Sequence, residues 1–337
     1  MLTACLLAGI TTSYAQRSDE EIMVESKSLS ADQISAVDAE TSGGNISVEG
    51  VNNPDVRVEV YARAYKGGDA KQLYAEYYQV EINAQNGKLT LQAKRKKNLR
   101  RDPELSVSFR IYVPVAASTQ LNTSGGNIYC RHLTGSSQKV KTSGGNIALD
   151  DVKGKVSAKT SGGNIAVTGC SDALDLYTSG GNIHAKNSNG TLTMNTSGGN
   201  ITLGDLEGNI EAETSGGNVS GERVNGKLNT RSSGGNLHLH ELSCSLDAST
   251  SGGNIDIAIK KAGEYVKLRN SGSGHTQLQL PEGIGMNIKA NGESVKLDLS
   301  GFKGDLNERS VAGTVNGGGV PVTIDGGDSR VVVTFAK

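Results

Sequence analysis

The chain alternates between apolar and polar residues in short runs that return at a fixed interval. Each return is marked by Thr-Ser-Gly-Gly-Asn, at 142–146, 160–164, 178–182, 196–200, 214–218 and 250–254, with Ser-Ser-Gly-Gly-Asn at 232–236. From 142 to 250, each copy begins eighteen positions after the copy before, and earlier copies occupy 41–45 and 123–127. A strict period of this length indicates a repeat protein, in which each repeat packs against its neighbours.

Numbered from its first residue, each repeat carries two runs of period-2 alternation. Apolar residues occupy positions 6 and 8, as at Ile165 and Val167, and positions 15 and 17, as at Leu174 and Leu176. Position 11 is usually apolar and position 13 is often Gly. Such short period-2 runs are typical of β-strands. They predict an all-β fold, a right-handed parallel β-solenoid with eighteen-residue coils and with positions 7, 9, 14, 16 and 18 outward.

The Thr-Ser-Gly-Gly-Asn motif falls at a corner of each predicted coil. We expect its Gly residues to supply the positive φ that a sharp corner needs. We expect the Asn amides to bond to one another from coil to coil, and the Thr side chains to point inward as a ladder. In this interpretation the motif shapes the coil, and the variable outward columns carry recognition.

The chain before the regular repeats predicts strands around one helix. Alternation predicts strands over 45–49, 56–61 and 105–113, and a hairpin of 80–83 with 88–93 around Asn86-Gly87. The helix is predicted over 70–79, with Asp69 as its N-cap. After Asn254 the period slips, which predicts irregular closing coils over an otherwise exposed strand edge.

These patterns divide the chain into five predicted segments. They are a signal peptide (1–15), a leader (16–34), a strand-rich N-terminal part with the helix (35–121), the regular solenoid (122–269), and degenerate coils with a cap (270–337). The first segment is uncharged, and its end at Ala15 fits signal-peptidase cleavage. Leu2-Thr3-Ala4-Cys5 also resembles a lipobox, so lipidation of Cys5 is the alternative. Either interpretation predicts export, to the periplasm, the outer membrane or the cell surface.

Composition and charge limit the classes of function that the chain can have. The 337 residues include no Trp and only 3 Phe, which suits a narrow core of Ile, Leu, Val and Ala. A net charge of −1 gives no global attraction to nucleic acid, and no run after the first segment is apolar enough to span a bilayer. The basic run Lys94–Arg101 is either a solvated loop tip or a contact for an anionic partner. Cys130, Cys170 and Cys244 are expected to replace small apolar residues.

The outward columns offer little convergent chemistry. His238 and His240 face outward on one predicted strand and could share a metal ion, but His184, in the column of His238, lies three coils away. Charged residues are mixed rather than clustered as a polysaccharide lyase needs, for example Glu213 beside Arg231. One Gly-Gly per coil argues against a calcium roll, and apolar spacings that do not repeat by six argue against a hexapeptide acyltransferase. We therefore expect no catalytic, cofactor-binding or metal-binding residue.

The chain resembles a bacterial family of exported β-solenoids of unknown function, named putative adhesins. The repeated coils, Ile111-Tyr112-Val113-Pro114 and the closing Asn316-Gly317-Gly318-Gly319 carry the resemblance, which covers about 35–337 and is strongest at 111–257. It implies an extracytoplasmic β-helix with an envelope or adhesion role. We predict a non-enzymatic cell-envelope protein that presents a polar surface to a glycan or protein partner, without cofactor or nucleic acid. A carbohydrate-active enzyme and a self-assembling scaffold are the alternatives, and the oligomeric state is left open.

Overall fold

A computed structural model describes residues 21–30, 34–52, 55–65, 68–96 and 104–335 of the chain. These residues form 27 strands and one helix, arranged as a β-solenoid whose coils stack in parallel. The predicted signal peptide and residues 97–101 of the basic run lie outside the described residues.

The regular coils place the same repeat position of neighbouring coils side by side. Ile165, for example, pairs with Ile147 on one side and with Ile183 on the other. The strands thereby form two parallel stacks, one from each alternating run of the repeat. In β15, β16, β17 and β18 the two runs of a repeat are continuous, and each forms a single strand of 14 residues. The strands of this part are β8 (Ser118–Thr123), β9 (Ile128–Leu133), β10 (Ser137–Lys141), β11 (Ile147–Val152), β12 (Lys155–Lys159), β13 (Ile165–Thr168), β14 (Ser171–Thr178), β15 (Ile183–Thr196), β16 (Ile201–Thr214), β17 (Val219–Ser232), β18 (Leu237–Thr250), β19 (Ile255–Ile259) and β20 (Val266–Asn270).

The core lies between the two stacks, where the alternation places it. Ile165, Val167, Leu174 and Leu176 are at most 2% exposed. The three cysteines after the first segment are buried and free, as predicted for residues that replace small apolar ones. The inward and outward assignment of the columns is therefore confirmed.

The glycines at the Thr-Ser-Gly-Gly-Asn corner do not adopt the positive φ that we predicted. None of them has a φ in the left-handed region, but a Cβ on Gly163, the second Gly of its motif, would lie 1.9 Å from the carbonyl oxygen of Gly145. Gly is therefore required at the second Gly of the motif because the backbones of neighbouring coils approach closely, and not because the chain makes a left-handed turn. The left-handed geometry lies at repeat position 10, as at Arg223 (φ 54°), and at the Gly of position 13, as at Gly208 (φ 124°).

The Asn of the motif forms a ladder, but not the amide-to-amide ladder that we predicted. Asn164 Oδ1 accepts from the backbone N–H of Asn182 at 2.7 Å, and the N–H of Asn164 donates to Oδ1 of Asn146 at 2.7 Å. The Thr side chains point inward as predicted, and Thr160 is only 3% exposed. Each side chain thereby satisfies backbone groups that a corner leaves without a strand partner.

The N-terminal part confirms the predicted helix and hairpin. Helix α1 spans Ala70–Tyr77, and Asp69 caps it by accepting from the N–H groups of Lys71 and Gln72. Asn86 and Gly87 both have positive φ, as the two-residue turn requires. The strands of this part are β1 (Ile22–Ser30), β2 (Ala36–Thr41), β3 (Ile46–Val51), β4 (Asp55–Ala64), β5 (Tyr78–Gln85), β6 (Lys88–Arg95) and β7 (Leu105–Pro114).

At both ends of the solenoid, the order of the coils in space differs from their order in the chain. The coil of β2 and β3 lies between β8/β9 and β6/β7. Near the other end, β26 lies between β20 and β22, and β27 lies between β21 and β23. The remaining strands are β21 (His275–Leu280), β22 (Met286–Asn291), β23 (Ser294–Asp298), β24 (Lys303–Leu306), β25 (Ser310–Val315), β26 (Val320–Asp325) and β27 (Arg330–Phe335). The first and last described coils are therefore covered on both sides.

Candidate functional site

The outward residues form two separate faces, one on each stack. We call the face built from repeat positions 14 and 16 the 14/16 face, and the face built from positions 7 and 9 the 7/9 face. On both, the buried residues between the outward positions fix the backbone, as Leu192 and Ile210 do on the first face. Side chains of successive coils therefore stand in columns, about 4.8 Å apart along the solenoid.

The 14/16 face carries a shallow cleft of about 350 Å³, which we call the Tyr265 cleft. Its outward lining is polar and mostly uncharged, and consists of Thr191, Thr193, Asn209, Glu211, Lys227, Asn229 and Tyr265. Hydroxyl, amide and charged groups are thus presented from three coils beside an aromatic ring.

Tyr265 reaches this cleft because the coil that carries it is longer than the others. Ser232 pairs with Thr250 across a regular coil, whereas Thr250 pairs with Asn270, so the next coil is longer by two residues. Val266 pairs with Leu246, which places Tyr265 in the column of Ser245 and Lys227. Ser245 is small and buried, so the ring extends past it toward Lys227.

The ring of Tyr265 also contacts a side chain two residues further along the chain, on β20. Lys267 Nζ lies 4.9 Å from the ring centroid, within the range of a cation–π contact. This contact helps to keep the ring at the edge of the Tyr265 cleft.

A second cleft, of about 300 Å³, lies at the turn between the two faces. Three carboxylates line it, those of Asp205, Glu207 and Glu241. Arg223 binds Asp205 with two hydrogen bonds, of 2.6 and 3.0 Å, and these bonds lower the pKa of Asp205 below its usual value. Asp205 is therefore held as a carboxylate, which is the opposite of what a general acid needs.

The 7/9 face brings three potential metal ligands together. His238 Nδ1 lies 3.3 Å from His240 Nε2 and 3.1 Å from Asp256 Oδ2, and His240 Nε2 lies 3.7 Å from the same carboxylate oxygen. Asp256 is on β19, in register with His238 on β18. A cleft of about 420 Å³ adjoins the two histidines, and Lys186, Glu222 and Arg223 also line it. We call His238, His240 and Asp256 the His-His-Asp cluster.

The sequence pattern predicts that the two histidines lie together, but Asp256 is not among the predicted ligands. The sequence contains the signal for this third ligand, because His238 and Asp256 both occupy position 7, in consecutive repeats, and therefore belong to the same column. A prediction from the spacing of histidines alone does not include a carboxylate. His184 is not part of the cluster, as its distance of three coils predicted.

The described part of the basic run contacts its own chain. Lys94 Nζ binds Glu81 at 2.8 Å, Arg95 Nε donates to the hydroxyl of Tyr78 at 3.0 Å, and Lys96 donates to the carbonyl of Ala75. These contacts fix the end of β6 against β5 and helix α1, and they favour the structural interpretation for these three residues.

The family model described as Toastrack DUF4097 matches residues 9–220 and 171–329. The chain belongs to this family. The match agrees with the resemblance that the repeated coils carry, and the β-solenoid of the structure is the fold that the Toastrack family shares. The family is a domain of unknown function, so membership assigns no site residue.

Three solved structures are similar to this Toastrack chain over most of its length. A putative lipid binding protein from Parabacteroides distasonis ATCC 8503 is 14% identical, with 93% of this chain and 96% of that chain covered and a TM-score of 0.32. A putative adhesin from Bacteroides fragilis NCTC 9343 is 11% identical, with 95% and 99% covered and a TM-score of 0.25. A putative cell adhesion protein from Clostridium sporogenes ATCC 15579 is 10% identical, with 94% and 99% covered and a TM-score of 0.23.

A search of the curated proteins finds no match to the chain. Among the described residues, no helix has the length and apolar character needed to cross a membrane.

Proposed function

We propose that this Toastrack protein is a non-enzymatic, exported protein of the cell envelope that binds a glycan in the Tyr265 cleft. The observation that carries the proposal is the position of one tyrosine ring at the edge of a polar cleft on a regular β-face. The uncharged first segment and the resemblance to exported solenoids support the location.

The chemistry of the cleft suits a sugar. A sugar ring offers many hydroxyl groups and an apolar C–H face. Thr, Asn, Glu and Lys side chains supply donors and acceptors for hydroxyls, while a Tyr ring supplies a flat apolar surface with a polar tip. The volume of about 350 Å³ lies near the lower end of the range for small-molecule sites, about 300–1,000 Å³.

The two alternatives have weaker support. A glycosidase needs a pair of carboxyl groups, one of them able to donate a proton. The carboxylates of the second cleft are the best candidates, but Asp205 is tied to Arg223. End-to-end assembly needs a long, free strand edge. Near the C-terminal end, β24 pairs with β25 alone among the described strands, has four residues and includes Lys303 and Asp305, so charge and shortness oppose pairing with another chain at this edge.

A glycan array with the purified chain tests the proposal, together with Tyr265→Ala and a matched control. The control is Tyr129→Ala, because Tyr129 is an exposed tyrosine on the other face, 44% accessible. We expect binding to at least one glycan class, lost in Tyr265→Ala and kept in Tyr129→Ala. We expect the loss of this aromatic contact to cost roughly 1–2 kcal/mol of binding free energy, which is about fivefold to thirtyfold in Kd.

The same glycans are then incubated with the protein and examined for cleavage products. Turnover that disappears in Glu207→Gln or Glu241→Gln would replace our proposal by the enzyme alternative. Equal affinity of Tyr265→Ala and Tyr129→Ala for the glycan would show that the Tyr265 cleft is not the binding site.

A further inference from the structure

We infer that His238, His240 and Asp256 form a binding site for a divalent transition-metal ion of the zinc class. The site is independent of the glycan proposal, because the His-His-Asp cluster lies on the 7/9 face and the Tyr265 cleft lies on the 14/16 face. The inference departs from our expectation that the chain has no metal-binding residue, and Asp256 is the reason.

The spacing of the three donor atoms fits a tetrahedral ion. Zinc lies about 2.0–2.1 Å from His nitrogen and Asp oxygen, so two ligands of a regular tetrahedron are about 3.3–3.4 Å apart. The donor atoms of the cluster are 3.1, 3.3 and 3.7 Å apart. Small side-chain rotations would make the three separations equal, without movement of the strands.

The fold holds the three ligands in this arrangement. His238 and His240 alternate with Leu237 and Leu239 on β18, and both leucines are fully buried. Asp256 stands on β19 between two buried isoleucines, in register with His238. Ligands on paired strands with a buried inner face lose little conformational freedom on binding, because the backbone is already fixed.

The surroundings of the cluster leave space for a cation, and nearby carboxylates offset the positive charges of the adjoining cleft. A cleft of about 420 Å³ adjoins both histidines, and the residue at the repeat position of His240 in the next repeat is the small Ala258. Two cationic side chains, those of Lys186 and Arg223, line the adjoining cleft, and the carboxylates of Asp205 and Glu222 both contact the guanidinium of Arg223. The carboxylate of Asp256 adds a further negative charge to the cluster itself.

The donor set decides the class of ion. Two imidazoles and one carboxylate suit Zn²⁺, Co²⁺ and Ni²⁺, whereas Ca²⁺ and Mg²⁺ prefer oxygen ligands alone. Three protein ligands leave the fourth tetrahedral position free for water or for a group from another molecule. His238 Nδ1 and His240 Nε2 lie 3.3 Å apart, and His238 Nδ1 also lies 3.1 Å from Asp256 Oδ2, so the three donor atoms are close to one another.

Isothermal titration of the full chain with ZnCl₂ tests the inference. The protein carries Cys5→Ser, which removes a thiol that could bind zinc, and its affinity tag is removed and its metal stripped with a chelator. We expect one equivalent of Zn²⁺ to bind, and CaCl₂ to produce no binding. Co²⁺ in place of Zn²⁺ should give the intense visible absorption of a tetrahedral complex.

Three variants remove one ligand each: His238→Ala, His240→Ala and Asp256→Asn. Each should weaken Zn²⁺ binding at least about tenfold, since even indirect partners of metal ligands cost that much. His184→Ala is the matched control, because His184 occupies the same column on another coil, and it should bind like the unsubstituted chain.

Circular dichroism and thermal unfolding in chelator should be the same for all variants, because the changed side chains lie outside the core. If the unsubstituted chain binds no Zn²⁺, or if the three variants bind as tightly as His184→Ala, the three residues only contact one another on the surface and the inference is wrong.

Discussion

Thr160 Oγ1 donates a hydrogen bond of 2.8 Å to the carbonyl oxygen of Gly145 in the preceding coil. The same hydroxyl accepts from the N–H of Gly163 in its own coil at 3.3 Å. One buried side chain thus satisfies two backbone groups and joins two coils. The relationship recurs along the solenoid, and at the Ser-Ser-Gly-Gly-Asn copy Ser232 makes the same two bonds, both of 2.8 Å.

We expect Thr160→Val to lower the free energy of unfolding by roughly 2–4 kcal/mol, because each buried backbone group left without a partner costs about 1–3 kcal/mol. Thr160→Ser should cost only about 1 kcal/mol, the effect of one lost methyl group. Ser232 shows that a serine hydroxyl fits this position. Urea denaturation followed by circular dichroism measures both. Equal loss in the two variants would mean that the hydroxyl contributes no more to stability than the methyl group does.

Two adjacent glycines should respond differently to the same substitution. A Cβ on Gly163 would lie 1.9 Å from a backbone oxygen of the neighbouring coil, whereas a Cβ on Gly162 meets its nearest atom at 3.8 Å. We expect Gly163→Ala to destabilise the fold by about 3 kcal/mol or more, since the coils must separate. Gly162→Ala should stay within about 0.5 kcal/mol of the original. Thermal unfolding compares them, and similar melting temperatures would contradict the close-packing explanation.

The buried thiols should be inert in the folded protein. Burial raises the pKa of Cys130 and of Cys244 to about 12, and that of Cys170 to about 11. We expect no reaction with Ellman's reagent at pH 8 in a Cys5→Ser chain until urea unfolds it, because the thiolate is the reactive form. Rapid labelling of even one thiol in native buffer would contradict this burial.

The same pKa shifts predict a loss of stability in alkali. From the ordinary thiol pKa of 9.0 upward, the unfolded chain releases protons that the folded chain still holds. The free energy of unfolding should therefore fall as the pH rises through this range. Cys130→Ala should make the fall shallower when urea midpoints are compared at pH 8 and pH 10, and an unchanged slope would assign the loss to other groups.

The last strands should be as protected as the central ones. Because β26 and β27 each pair with a strand on both sides, local opening must break two sets of backbone hydrogen bonds. We expect the amides of Val322 and Val333 to exchange with deuterium about as slowly as those of Leu203 and Ile210 in the central coils. Exchange within the first minutes would show that the last coil frays despite its position.

The sequence by itself determined the repetitive body of this protein. Alternation fixed which side chains point inward, and the constant interval between copies of the motif placed equal positions side by side, as with Ile147, Ile165 and Ile183. Helix α1 and the turn at Asn86-Gly87 were also predictable, because capping and turn preferences act over a short stretch of chain. A family resemblance followed from the same coils, although neither it nor the pattern identified a ligand.

Only the tertiary structure decided the features that depend on close approach or on distant pairing. The need for Gly at Gly163 comes from the backbone of the next coil, and the interleaved end coils pair strands that the period does not relate. Tyr265 lines the cleft with Lys227 because its coil is longer by two residues and the intervening Ser245 is small, and His238 Nδ1 comes within 3.1 Å of Asp256 Oδ2 through the orientation of two side chains. A repeat pattern assigns residues to columns, but contacts between side chains depend on their rotations and on the lengths of individual coils, which it does not encode.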